Sequence, residues 1–301
     1  MESRSVQEYH HQWALGAPVV AIDLGTSRSA MAITFVGREK LSQELVLPRG
    51  CGTSSHDQCK TQTALLVELA EGVAYWPGAA VTDCRDLRTV AFGDAAEREY
   101  SLIPLEERVD LGFFKWFKML LHSDAEGDPD PVLPCPHGGL RVKLSAAIAK
   151  TLEILKEEAM EHLLRSQGRR REDVVWILSV PAIWSDRAKH MMRMAALSAG
   201  LIDSADSPNL ILCLEPEGIA FHTLFDGADE AFVLEDQSEE TKLADSGIKD
   251  AFRRGAKFVT IDAGGGTADF GAYEVVQTHP FKVKHLAPPT GGTENLNVLN
   301  F

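Results

Sequence analysis

Short, nearly unbroken apolar runs at 19–22, 174–180, 210–214 and 258–261 alternate along the chain with stretches of helical period. The runs predict strands, and those at 174–180 and 210–214 have the continuous apolar character of strands buried on both faces. A second run, Ala30 to Val36, returns from the first across a Gly/Thr/Ser turn, so the two predict a hairpin. Ala268 to Val276 does the same for 258–261. Ala64 to Leu69 predicts another strand, with Val73 to Trp76 as its return across Glu71-Gly72.

Helical period is clearest where Ile148, Leu152, Leu155, Ala159 and Leu163 recur every three or four residues, predicting a helix from Ser145 to about Ser166. Ser185-Asp186 reads as the cap of a helix running to Ala199, and Gly200 ends it. Pro216 suits the first turn of a helix from Glu215 to about Phe225. A short helix begins within Phe92 to Glu97, and the aromatic stretch Phe113 to Met119 reads as amphipathic, with Lys115 and Lys118 on a helix face. Residues 37–63 and 123–139 are rich in Pro, Gly, Ser and Thr and read as loops.

Within this pattern one device occurs twice. Ala21-Ile22-Asp23-Leu24-Gly25-Thr26 and Thr260-Ile261-Asp262-Ala263-Gly264-Gly265-Gly266-Thr267 each place an Asp at a strand end, then a small-residue turn and a return strand. Repetition of one device suggests two lobes related by pseudo-symmetry. Glycine lets a backbone approach a phosphate closely. Successive N–H groups then form an anion-binding nest, to which Thr26, Ser27 and Thr267 add hydroxyls. An Asp so near phosphate avoids repulsion only if a cation lies between, and Mg²⁺, which keeps its waters, suits carboxylates acting through water. Glu215, at another strand end, is a third carboxylate for that water shell, or the group that orients an attacking water. An Asp-x-Gly-Thr turn without ligand uses the same residues, so the Asp23 turn alone fits either reading. The triple glycine after Asp262, at a conformational cost, favours a ligand.

Composition narrows the field. Apolar residues at 45% and charged residues at 25% are ordinary globular values, and a net charge of -14 argues against a nucleic-acid or anionic-membrane partner. Gly168 to Arg171 is the one basic run, and it reads as a solvated turn. The five cysteines are scattered without a C-x-x-C pair, which suggests neither a disulfide framework nor structural zinc, and a reduced, cytoplasmic setting follows. Cys51 and Cys59 with His56 lack an evident fourth ligand. His10 and His11 read as tail, and Met191, Met192 and Met194 as core packing.

Several motifs together resemble the nucleotide-binding domain of the 70-kDa heat-shock chaperones. They are Ile22 to Ser27, Phe92-Gly93-Asp94-Ala95-Ala96, Ser179-Val180-Pro181-Ala182 with Ser185-Asp186, Ala199-Gly200-Leu201, Glu215 to Ala220, Asp262 to Asp269, and Gly291-Gly292. The Phe-Lys-Trp-Phe-Lys-Met stretch, Trp184 and the acidic insertion resemble the divergent twelve-type branch. The resemblance implies an α/β, actin-like (ribonuclease H-like) ATPase fold with two lobes, the second incomplete. It implies a tail at 1–16, a first lobe at 17–225 with a peripheral subdomain at about 37–140, an acidic insertion at 226–257, and the start of the second lobe at 258–301.

It further implies ATP/ADP and Mg²⁺ as cofactors. Gly25, Thr26, Ser27, Asp262, Gly264, Gly265, Gly266, Thr267, Gly291 and Gly292 would contact the nucleotide. Asp23, Asp262 and Glu215 would hold metal-bound waters, and Lys118, with Lys115 as its alternative, would place the attacking water. Weak ATP hydrolysis driving lobe closure is the activity implied, with protein clients or co-chaperones as partners. A non-hydrolysing scaffold is the alternative, ahead of a small-molecule kinase. Three departures bear on this: Arg28 replaces the family's aromatic residue, Gly218-Ile219-Ala220 replaces its Ala-Ala-Ala, and the helix and Gly-rich turn that clasp adenine and ribose in the family are not found up to Phe301, which fits either a fragment or impaired nucleotide binding.

Overall fold

The computed structural model describes residues 13–36, 44–46, 60–76, 78–121, 128–167, 174–225, 252–265, 268–278, 281–288 and 290–292. Residues 1–12 of the N-terminal tail, Cys51, Cys59, the basic run at 168–171, most of the acidic insertion, Gly266 and Thr267 lie outside these. The fold is mixed α/β, and the chain divides into two compact units.

The larger unit comprises Leu15–Leu178 and Trp184–Leu212. Here β1 (Pro18–Leu24) and β2 (Arg28–Phe35) form the expected antiparallel hairpin. Burial alternates along both strands, so Val20, Ile22, Leu24, Met31 and Ile33 are at most 1% exposed. This alternation is the period-two signature of a sheet with one face on the core. Two short strands, β3 (Glu44–Val46) and β4 (Thr61–Gln62), pair with β2 inside the polar segment expected as loop. Their partner is the open edge of β2, a backbone feature that side-chain hydropathy cannot show.

A three-stranded sheet orders β5 (Ala64–Leu69) between β6 (Leu87–Phe92) and β7 (Gly112–Lys115). Val73 to Trp76 therefore does not return on β5: Gly72 makes a turn at φ 81°, but β6 is the strand that pairs. The 113–119 stretch is likewise not a helix. It is β7 followed by a 3-10 turn over Phe117–Leu121, with Trp116 between them at φ 55°. Phe114 and Phe117 are buried, each 2% exposed, while Trp116 is 58% exposed.

Helix α1 (Asp94–Leu102) follows β6, and α2 (Leu144–Gln167) is the long helix of the sequence reading. All five of its periodic residues, Ile148, Leu152, Leu155, Ala159 and Leu163, are fully buried. The start of α2 is held from the preceding loop: Asp130 accepts from the Ser145 backbone N–H at 2.8 Å and from its hydroxyl at 2.7 Å. Strand β8 (Val175–Val180) lies parallel to β1, and β9 (Leu210–Leu214) completes the order β3-β2-β1-β8-β9. Helix α3 (Asp186–Ser198) is capped by Ser185, whose hydroxyl accepts from Ala188 N–H at 3.3 Å. Its far end is met by Lys156 of α2, which donates to the Ala199 carbonyl at 2.7 Å, as suits a cation at a helix C-terminus.

The smaller unit is described over Ser179–Ile183 and parts of Cys213–Phe301. Helix α4 (Glu215–Phe225) packs on an antiparallel sheet of β10 (Lys257–Ala263), β11 (Ala268–Thr278) and β12 (Phe281–His285), with β13 (Thr290–Gly292) also on β11. Phe252, Val275 and Phe281 centre its core, and Phe221 of α4 meets Phe281 edge-on at 5.7 Å. No described helix is long and apolar enough to cross a membrane.

Candidate functional site

In the larger unit Asp23 is the penultimate residue of β1, opposite Ala30, with Leu24 opposite Ser29. Gly25, Thr26 and Ser27 make the turn between the strands. A Cβ on Gly25 would come within 2.2 Å of the Arg28 carbonyl oxygen, so the turn closes this tightly only around glycine. Thr26 is 8% exposed.

The turn is braced by residues that sequence reasoning left in a loop. Thr63 Oγ1 donates to the Gly25 carbonyl at 2.8 Å and shares a 2.8 Å hydrogen bond with Ser29 Oγ, while its N–H donates to the Ser27 carbonyl. Thr61 donates to Asp94 Oδ2 at 3.2 Å and accepts from the Asp94 N–H at 3.1 Å. The Gly-Asp of the Phe92-to-Ala96 motif thus has a visible task. Gly93, at φ 72°, lets α1 start beside Thr61, whose hydroxyl would lie 2.1 Å from any Cβ there. The one sequence sign of this brace is Thr-x-Thr alternation at 61 and 63 in a polar stretch; both residues are at most 1% exposed.

Two further side chains complete the first turn. Lys60 Nζ lies 2.7 Å from Asp23 Oδ2, and Arg28 donates to the Lys60 carbonyl at 3.0 Å. The residue that departs from the family's aromatic therefore holds the backbone of the lysine that meets the acid.

The two candidate lysines have different settings. Lys115 pairs with Glu97 at 2.9 Å and lies 4.9 Å from the Trp116 ring centre, on the surface of the unit. That bond, followed by one from Gln62, holds the Glu97 carboxyl below its usual range. Lys118 is 2% exposed, and its ammonium sits 5.2 Å from the centre of the Trp184 ring, a cation–π distance. Neither lies on a solvated helix face.

In the smaller unit Asp262 sits near the end of β10 opposite Asp269, with Ala263 opposite Ala268. Gly264 and Gly265 follow and are exposed. Gly291 and Gly292 pair with Asp269 and Ala268, which brings the glycine pair to the strand leaving the Asp262 turn. A Cβ on Gly291 would meet the Ala268 carbonyl oxygen at 2.4 Å and Asp269 Oδ1 at 2.7 Å. Glu215 is the first residue of α4, where a helix N-terminus favours negative charge. The structure thus gathers Asp262, Gly264, Gly265, Gly291, Gly292 and Glu215 in one unit, and Asp23, Gly25, Thr26, Ser27 and Lys118 in the other.

Beside Glu215, burial pushes the Cys213 thiol up to about 11, reinforced by Glu217 and Glu215, so it stays protonated. Burial and the Glu217 charge raise Tyr273 to about 12. Its ring neighbours His285, whose Nε2 lies 3.3 Å from Glu217 Oε1. Among the described residues no three His, Cys, Asp or Glu side chains cluster so that they could hold a metal directly.

By sequence comparison the chain is a divergent relative of the twelve-type branch of the 70-kDa heat-shock proteins. It is 27% identical to human heat shock 70 kDa protein 12A over 306 residues, covering 91% of this chain and 42% of that protein. Against human heat shock 70 kDa protein 12B it is 28% identical over 314 residues, covering 93% and 43%. Mouse heat shock 70 kDa protein 12A gives 28% over 306 residues, covering 91% and 42%. The chain therefore spans less than half the length of these relatives. No family model matches it.

Proposed function

We propose that the chain is an ATP-binding, chaperone-like module with weak ATP hydrolysis, in which the Asp23 and Asp262 turns take the phosphates of Mg-ATP. The observation that carries this reading is shared by both turns. Each has an Asp at or near the end of its strand; Gly25 in the first turn, and Gly291 of β13 against the strand that leaves the second, sit where a Cβ would strike a backbone oxygen at 2.2 or 2.4 Å. Successive N–H groups of such a tight turn can form an anion-binding nest.

On this reading the N–H groups and hydroxyls of Thr26, Ser27 and Thr267, with the N–H groups of Gly25, Gly264, Gly265 and Gly266, donate to phosphate oxygens. Gly291 and Gly292 leave room for the nucleotide. Bound Mg²⁺ would neutralise charge on the phosphates. Asp23, Asp262 and Glu215 would accept hydrogen bonds from its waters, as suits an ion that keeps its hydration shell. Glu215 orients a water and Lys118 places it. Lobe closure would then change a surface read by protein clients or co-chaperones, in the cytoplasm and away from nucleic acid or membrane.

One observation favours a second reading, a scaffold that binds without turnover. Lys118 is buried against Trp184, so its ammonium must leave that ring to reach a water at a phosphate. A small-molecule kinase ranks below both, for want of a base in a sugar-binding loop. Calorimetry with Mg-ATP followed by release of labelled γ-phosphate separates the readings. Binding with slow release supports the ATPase, and binding without release supports the scaffold. No binding, by this chain or by one carried past residue 301, defeats both.

A further inference from the structure

The Asp23 turn carries a positive charge that the phosphate chemistry above does not use. Lys60 Nζ lies 2.7 Å from Asp23 Oδ2 with both side chains substantially open to solvent, 52% and 36%. An ion pair so exposed contributes little to folding. Yet the lysine's backbone is held firmly. Its carbonyl accepts from Arg28 at 3.0 Å, the next residues pair in register with Arg28 and Ser29, and Thr63 ties the same segment to Gly25 and Ser27. The strap delivers an ammonium to the Asp23 carboxylate.

Electrostatics says what such a placement does. A bare carboxylate at the turn repels an incoming phosphate, and the repulsion is relieved only by a cation close to both. A hydrated divalent ion supplies two charges; an ammonium within hydrogen-bond distance supplies one.

We propose that Lys60 is a built-in monovalent stand-in for the divalent cation at Asp23. It neutralises the carboxylate in the metal-free protein and lets the turn accept a polyphosphate without metal. It releases the carboxylate when a hydrated divalent ion arrives. Arg28 is a positioning residue for it, acting on the Lys60 backbone rather than on Asp23. The inference rests on the phosphate-binding reading of the Asp23 turn. Its two consequences share a sign: loss of the ammonium weakens metal-free binding and removes the metal's competitor. Both raise the ratio of the dissociation constant measured in chelator to that measured in Mg²⁺.

The test titrates ATP into the 301-residue chain by calorimetry, once with Mg²⁺ and once with EDTA. It compares wild type, Lys60→Met, Asp23→Asn and the double variant. Lys60→Met should raise the ratio on the order of tenfold, within the usual range of coupling between sites. Once Asp23 is replaced, the same substitution should leave the ratio unchanged, since the partner is gone. Lys60→Gln should act like Lys60→Met, and apo melting curves overlaying that of wild type show that the fold is intact in both. A wild-type ratio in both Lys60 variants overturns the stand-in role while leaving the phosphate reading intact, as does an equal rise without Asp23. Absence of ATP binding under both conditions, by this chain and by one carried past residue 301, sinks the phosphate reading itself, and the role of Lys60 with it.

Discussion

The two acid-ended turns share a sequence device and differ in everything that supports it. The Asp23 turn is enclosed: Thr26 is nearly buried, Thr63 bonds the Gly25 carbonyl, and Lys60 meets the acid. At the Asp262 turn Gly264 and Gly265 lie open, and on β10 the outward residues Val259 and Ile261 are 63% and 60% exposed. Its support comes instead from β13, whose Gly291 presses on Ala268 and Asp269. A short motif can therefore specify a bend while leaving to the rest of the chain whether that bend is rigid. Among the described residues the first is held by hydroxyls and charge, the second by the close approach of β13.

The comparison breaks most visibly at the glycine of the enclosed turn. Gly25→Ala should destabilise the chain by about 3 kcal/mol, because the clash is with backbone rather than a movable side chain. Urea unfolding reads this, and a loss under about 1 kcal/mol would mean that the turn can open to admit a methyl group.

Next in size is an alkaline effect specific to the unit with the open turn. Tyr273 titrates at about 12 in the folded protein against 10.0 unperturbed, so its neutral form is favoured by folding. That stability is fully present below pH 10 and is lost as pH rises through 12. The loss should approach about 2 kcal/mol, and Tyr273→Phe should abolish this component of the pH dependence. Cys213, raised from 9.0 to about 11, gives the same sign one pH unit lower, so Tyr273→Phe should leave a residual loss between pH 9 and 11. Denaturant midpoints measured from pH 8 to 11.5 test both.

Smaller again is Thr63→Val, which removes a buried hydroxyl bonded to Gly25 and Ser29 and should cost roughly 1–2 kcal/mol. A neutral outcome would show that the brace is incidental to the first turn. Smallest in stability is Asp262→Ala. It should leave the apo melting temperature nearly unchanged and weaken Mg-dependent ATP binding. A large apo loss instead would make Asp262 a structural residue.

Much of this was legible before any coordinates. The period of Ile148 to Leu163 placed α2, because a buried helix face must repeat every three to four residues. The apolar runs at 174–180 and 210–214 placed β8 and β9 for the complementary reason, and Ser185 and Gly200 marked the ends of α3 through local hydrogen bonding and a positive φ of 69°. The Asp-ended turns were readable because a tight bend demands small residues. Phe113 to Met119 misled because a short apolar stretch fits a strand as well as a helix.

By itself the sequence determined β1, β2, β5, β8 to β11, the helices and the two bends, since each follows from a local period or a local steric demand, whereas β3, β4, β6, β7, β12 and β13 were not read from it. Only the tertiary structure decided what stands behind those bends: Thr63 under Gly25, Lys60 on Asp23, Gly291 against Asp269, Trp184 over Lys118. These contacts join residues far apart along the chain through single hydroxyls, charges and close backbone approaches. Such pairings leave no periodic trace, because their partners are chosen by the packing of the sheets that carry them.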